Sequence, residues 1–162
     1  MGYTPKVIEL LKGKANVSRP KTNCGPTTFY LQSLDKWLGD TRWDVIHFNA
    51  GLHDLCYRSP SAKAYGNRDK VNGTLSVSLE QYQKNLETIV LRLKKTGAKI
   101  IFANTTVVPE GEPGRKVGDD LRYNEVAAKV MARYGIGVND LHALTASFSS
   151  SEFRKKRGDV HF

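Results

Sequence analysis

The feature that most constrains this chain is its alternation of short apolar runs with long amphipathic segments. "WDVIHFNAG" is a run over Val45 to Asn49 closed by a glycine turn, and "AKIIFANTT" is a second such run about a third of the chain later. Between them Leu79, Tyr82, Leu86, Ile89, Val90 and Leu93 recur at helical spacing, with Ser78 and Gln81 as a capping box and Gly97 as the stop. A further helix, from about Leu121 to Tyr134, turns Tyr123, Val126, Ala127, Val130 and Met131 to one side. "YGIGVND" then reads as a last short strand. Strands alternating with helices of this length predict an α/β fold, a parallel sheet with helices on both faces. In such sheets ligands sit at the carboxyl ends of the strands.

The amino-terminal third fits the same plan. Thr4 is placed to cap a helix with Pro5 at its first position and Val7, Ile8, Leu10 and Leu11 on its apolar face. An extended piece follows near Ala15 to Ser18. Pro26 and Thr27 open a second helix that buries Phe29, Leu31, Leu34, Trp37 and Leu38, and Gly39 ends it. With 162 residues and no internal repeat, residues 1–162 read as one domain. No apolar run has the length of a membrane span. The net charge of +9 permits an anionic partner, yet the basic residues are spread along the chain. No zinc-finger spacing or RNA-binding aromatic signature accompanies them, so neither nucleic acid nor membrane is expected as a partner. Cys24 and Cys56 have neither metal-ligand nor redox spacing.

Four loops therefore claim chemical attention: "NCGPT", "NAGLHDL", "NTTVVPEG" and "GDVHF". Singly, each has a plain structural explanation. Gly25 and Gly51 suit tight turns, His53 suits a surface, and Asp54 suits the cap of a following short helix. Asp159 and His161 suit a solvated tail.

Together the loops resemble the second, third and fifth sequence blocks of the SGNH hydrolases, the GDSL-type esterases and lipases. "GYTPKVIELLKGKANV", "NCGPTT", "WDVIHFNAGLHDL", "VSLEQYQKNLETIVLRLKKTGAKIIFANTTVVPEG", "RYNEVAAKVM" and "DVHF" follow that family in order across nearly the whole chain. The resemblance implies a flavodoxin-like three-layer α/β/α sandwich. It implies a serine that attacks an ester carbonyl, His161 as the base that takes its proton, and Asp159 as the group that orients the base. Gly25 matches the glycine whose amide serves the oxyanion hole. His53 stands where the family places an oxyanion-binding asparagine, in Gly51-Leu52-His53-Asp54, which makes that donor dependent on pH and tautomer. No metal or organic cofactor is implied. Substrates would be carboxylic esters, acyl or acetyl groups on small molecules or glycans. Family members are often exported; the compartment is not legible here.

Two departures qualify the resemblance. The chain contains no Gly-Asp-Ser motif; the family holds its first strand and its serine a few positions upstream of the text matching Gly2 to Pro5, where Met1 stands here. Ser18, Ser147, Ser149, Ser150 and Ser151 lack the glycine-flanked turn that presents such a hydroxyl. The family's closing helix after the histidine is also missing. The expectation is thus a domain lacking its first strand and last helix, inactive as it stands. Strands lie about 4.8 Å apart, so losing a central one opens a gap too wide for a direct ladder. Each buried backbone group left unpaired costs about 1–3 kcal/mol. The flanking strands would then pair directly, an oligomer or another chain would donate a strand, or the chain is a piece of a longer protein. The alternative function is a non-catalytic SGNH-like module that binds carbohydrate or another ligand; a basic-surface interaction protein comes third.

Overall fold

The periodicities translate into ten elements: α1 (Thr4–Leu10), α2 (Thr27–Leu38), β1 (Val45–Asn49), β2 (Tyr57–Arg58), β3 (Thr74–Leu75), α3 (Leu79–Lys94), β4 (Lys99–Ala103), α4 (Asp119–Tyr134), β5 (Gly137–Asn139) and α5 (Leu141–Ala146). The structure, a computed structural model, describes residues 3–61, 67–148 and 158–160. β1, β4 and β5 form a parallel sheet in that order. Val45 to Asn49 stand opposite Lys99 to Ala103, and Ile101 to Ala103 opposite Gly137 to Asn139. Both crossovers step one strand in the same direction, so right-handed connections place α3 and α4 on one face. They pack there against each other, and α2 packs on α3.

The core lies between that helical layer and the sheet. Ile46 and Phe48 share a face with Ile100 and Phe102, and the two phenylalanine rings meet edge-on at 5.1 Å. Tyr82, Leu86, Ile89, Val90 and Leu93 from α3 meet Tyr123, Ala127, Val130 and Met131 from α4. Each large apolar side chain so enclosed contributes about 1.5–3 kcal/mol.

The opposite face of the sheet is thinly covered. Val45 is 51% exposed there, and His47, Lys99 and Gly137 are exposed beside it. α1 and α5 make only sparse contacts with other elements. Ile8 and Leu10, expected on a buried face, are consequently 47% and 64% exposed.

Several expectations change. Residues 15–18 are not a strand, and among the described residues nothing pairs with the outer edge of β1. Direct pairing of flanking strands does not close the sheet, because the candidate flank never joins a ladder. Tyr3, not Thr4, is the cap residue of α1; Thr4 lies inside the helix with Pro5 and is buried. The Ser78 hydroxyl accepts from the Gln81 amide at 3.2 Å, but the Gln81 side chain does not return the bond. It donates instead to Asn85 Oδ1 at 2.8 Å, drawn inward by a buried partner. The polar loop after β1 contains a two-stranded antiparallel hairpin, β2–β3, invisible to periodicity because each strand has two residues. Cys24 and Cys56 are free thiols.

Candidate active site

The carboxyl end of β1 is held by side chains from two helices and a loop. Tyr30 donates to the Asn49 carbonyl at 2.5 Å. The Ala50 carbonyl accepts from Tyr82 at 2.9 Å and from Thr105 Oγ1 at 3.2 Å. The Leu55 amide closes the turn onto the Gly51 carbonyl at 2.9 Å. Gly51 is a glycine for a steric reason: its φ is +139°, and a Cβ would lie 2.1 Å from Thr105 Oγ1. This turn carries His53, which is half-buried, and Asp54, which is fully buried.

Asp54 does not cap the turn that follows it, as its position suggested. It reaches back to the start of α2, where its Oδ1 accepts from the Thr27 amide at 2.8 Å and the Thr27 hydroxyl at 2.5 Å. Pro26, the cap residue of α2, offers no side-chain oxygen, so Asp54 fills the role across 27 residues of sequence. Asn85 donates to the Thr27 hydroxyl at 2.8 Å, extending a one-way relay Gln81–Asn85–Thr27–Asp54. The other carboxylate oxygen, Oδ2, is buried without a hydrogen bond of good geometry. Burial pushes the Asp54 carboxyl up to about 6, against the opposing pull of the Thr27 donors.

The Asp54–Thr27 bonds fasten the His53 turn to the loop bearing Gly25. Gly25 is buried, with φ +62°, and its amide donates to Asn23 Oδ1 at 2.9 Å. That amide is therefore engaged locally, and an oxyanion would have to displace Asn23. Cys24, its neighbour, lies beside Tyr30. Burial pushes the Cys24 thiol up, which keeps it protonated and unsuited to serve as a nucleophile.

A second fastening comes from the loop after β4. Arg115 donates through Nε to the Leu52 carbonyl at 2.6 Å and through Nη1 to Glu112 at 2.7 Å. Glu112 is fully buried and also accepts from the Gly114 amide at 2.7 Å. The segment 158–160 rests on this loop. A Cβ on Gly158 would meet the Gly111 carbonyl at 2.6 Å, and Val160 is 4% exposed. Asp159 is half-buried between them. Thr27–Asp54 ties the Gly25 loop to the His53 turn, Arg115–Leu52 ties that turn to the loop after β4, and Gly158 packs against the same loop at Gly111, carrying Asp159 with it. His161, the expected base, lies outside the described residues, as do Ser149, Ser150 and Ser151.

One acid–base pair escaped sequence reading. His142 Nε2 lies 2.8 Å from Asp120 Oδ2, and its amide donates to Asn104 Oδ1 at 2.8 Å. Asp120 also accepts from the Val108 and Gly118 amides, so it braces the loops after β4 and β5. The local signal was Asp140, whose side chain caps α5 at the Ala143 amide.

The parallel sheet, its helical layer and the turns at the strand ends make an α/β fold that solved esterase structures share. No protein-family model and no curated protein sequence matches the chain. Solved structures do. An acetyl xylan esterase from Geobacillus stearothermophilus superposes with a TM-score of 0.73 at 16% identity, over 99% of this chain and 75% of that one. Another acetyl xylan esterase gives 0.72 at 15% identity, over 91% of this chain and 72% of its own. A lipase/acylhydrolase from Enterococcus faecalis gives 0.65 at 20% identity, and this chain spans 62% of its length. The Geobacillus enzyme has also been solved as catalytic mutants in a serine, an aspartate and a histidine.

Proposed function

We propose that this chain carries the acid–base and oxyanion part of an SGNH-type ester hydrolase acting on carboxylic esters, acyl or acetyl groups on carbohydrate among them. The observation that carries the reading is the fastening of the Gly25, His53 and Asp159 loops at the carboxyl end of β1. A Ser-His-Asp site needs those groups preorganised around one point. The catalytic aspartate, histidine and serine of the Geobacillus acetyl xylan esterase lend it further support.

In this reading a serine hydroxyl attacks the ester carbonyl carbon, and its proton passes to His161. Asp159 holds the imidazole in the receptive tautomer and stabilises the resulting imidazolium. The negative charge collects on the carbonyl oxygen, which takes hydrogen bonds from the Gly25 amide, once Asn23 swings aside, and from His53. The C–O bond then breaks, His161 returns the proton to the departing alcohol, and water repeats the sequence on the acyl-serine. The 162 residues contain no Gly-Asp-Ser motif, so the chain alone is inactive. The serine arrives on a strand seated against the outer edge of β1, which is unpaired among the described residues.

The test is a fusion of an apolar strand and a Gly-Asp-Ser turn to the amino end of the chain, assayed with nitrophenyl acetate. Turnover is expected, and is abolished by His161→Ala or by alanine at the added serine. Background turnover in a fusion that melts cooperatively refutes the reading. A non-catalytic binding module is the second reading, favoured by the absence of that motif; it predicts carbohydrate binding without hydrolysis in either form.

A further inference from the structure

The loop after β4 makes two contacts on which the site depends. Its Gly111 carbonyl packs against Gly158, which carries Asp159, and its Arg115 holds the Leu52 carbonyl beside His53. Val108 and Gly118, on either side of those contacts, come together on one side chain. Asp120 Oδ2 accepts from the Val108 amide at 3.2 Å, and Oδ1 accepts from the Gly118 amide at 3.1 Å. His142 Nε2 lies 2.8 Å from the same Oδ2, and with its proton on Nε2 the ring is a third donor. The Asp120 side chain is 4% exposed and that of His142 20%, so water is a poor substitute for the carboxylate.

His142 is itself anchored. Its amide donates to Asn104 Oδ1 at 2.8 Å, and Asn104 Nδ2 donates to Asp140 Oδ1 at 2.7 Å. Three residues on, Thr145 Oγ1 accepts from the Val107 amide at 3.4 Å. α5 therefore grips the start of the loop, while Asp120, the second residue of α4, closes its neck. Closing the neck restricts every residue between the ties, and Gly111, Glu112 and Arg115 all lie between them. We propose that Asp120, completed by His142, is a positioning residue that sets where Asp159 and the His53 turn stand, acting through this loop. The inference rests on the ester-hydrolase reading only in treating those groups as a site; the mechanical link stands without it. Asp119, the neighbouring carboxylate, turns instead to Arg122, at 3.3 Å.

The experiment uses the full chain and reads backbone amide shifts and amide hydrogen exchange. Asp120→Asn keeps the shape of the side chain but turns an NH2 toward donors that need an acceptor. It should shift the Leu52, His53 and Asp159 amides. It should also quicken exchange at Gly114, whose amide is bonded to Glu112, by about tenfold relative to the buried Val90 of α3. His142→Ala should do the same to a smaller extent. His142→Gln, which offers an N–H in the place of Nε2, should restore the parental values, and Asp119→Asn should leave them unchanged. The two His142 variants keep the Asp120 carboxylate, so they decide the matter if Asp120→Asn does not fold. Shifts confined to the residues that touch Asp120 and His142 overturn the proposal. So does equal quickening at Val90, which marks a general loss of stability, or an equal effect of His142→Gln and His142→Ala. In a serine-bearing fusion, His142→Ala should lower kcat about tenfold with KM within about twofold, and His142→Gln should recover it. A fusion that hydrolyses nothing, while the full chain shows the expected shifts, sinks the esterase reading and leaves the positioning role intact.

Discussion

Replacing Asp54 by Asn isolates the buried carboxyl at the centre of the site. The folded protein holds this group at about 6, against the ordinary 3.8 of an open chain. A raised value means that the native state binds the proton more tightly than the unfolded state does. The contribution is therefore fully present below about pH 3.8 and is lost as pH rises through about 6. A difference of about two pH units, at 1.36 kcal/mol each, amounts to roughly 3 kcal/mol. Asparagine keeps an oxygen for the Thr27 amide and hydroxyl but never ionises. Urea denaturation of both proteins from pH 4 to pH 7.5 measures the outcome. The stability of Asp54→Asn relative to the parent should climb by about 2 kcal/mol between pH 4 and pH 6.5, then level off. In a chain of this size that is a relative melting shift of about 4–8 °C. The constant offset between the curves, set by how the new amide NH2 is received, does not enter. A difference that stays flat across this range would falsify the assignment of burial as the dominant influence on Asp54.

The other predictions concern the same loops. Gly51→Ala should destabilise the fold by roughly 2–6 kcal/mol, through backbone strain and collision with Thr105, read as a lower urea midpoint. In a serine-bearing fusion, His53→Ala should lower kcat by about 10²–10³-fold. His53→Asn should recover most of that loss and remove the pH dependence that an imidazole donor brings. Asn23→Ala frees the Gly25 amide, so kcat in the same fusion should rise while KM changes little. An unchanged kcat would show that Asn23 does not compete with the oxyanion.

The β1, α3, β4 and α4 segments were legible because each is a local pattern: a short run rich in apolar residues closed by a polar or glycine turn, or an apolar stripe repeating every turn. α1 was legible as a helix but not as a surface, because burial of Ile8 and Leu10 depends on what lies against them. Residues 15–18 read as an extended piece, yet a strand is a relation between two segments, and no ladder partner reaches them among the described residues. The site divides in the same way. Gly25, His53 and Asp159 could be picked out as loop residues following strands. Asn23 on the Gly25 amide, Asp54 under α2 and Arg115 on Leu52 could not. Asp120 and His142, which carry no motif at 22 residues apart, were missed altogether.

What the sequence by itself determined is the order of strands and helices, the parallel sheet that order demands, and the loops that must stand at its carboxyl edge. Tertiary structure alone decided how those loops are bound together and which polar groups are already engaged. It also decided that the outer edge of β1 stands open among the described residues. The physical reason is range. Periodicity acts within one turn or one strand, whereas Asp54 finds Thr27 across 27 residues and Arg115 finds Leu52 across 63. Such bonds form only after the apolar core has brought the two segments together.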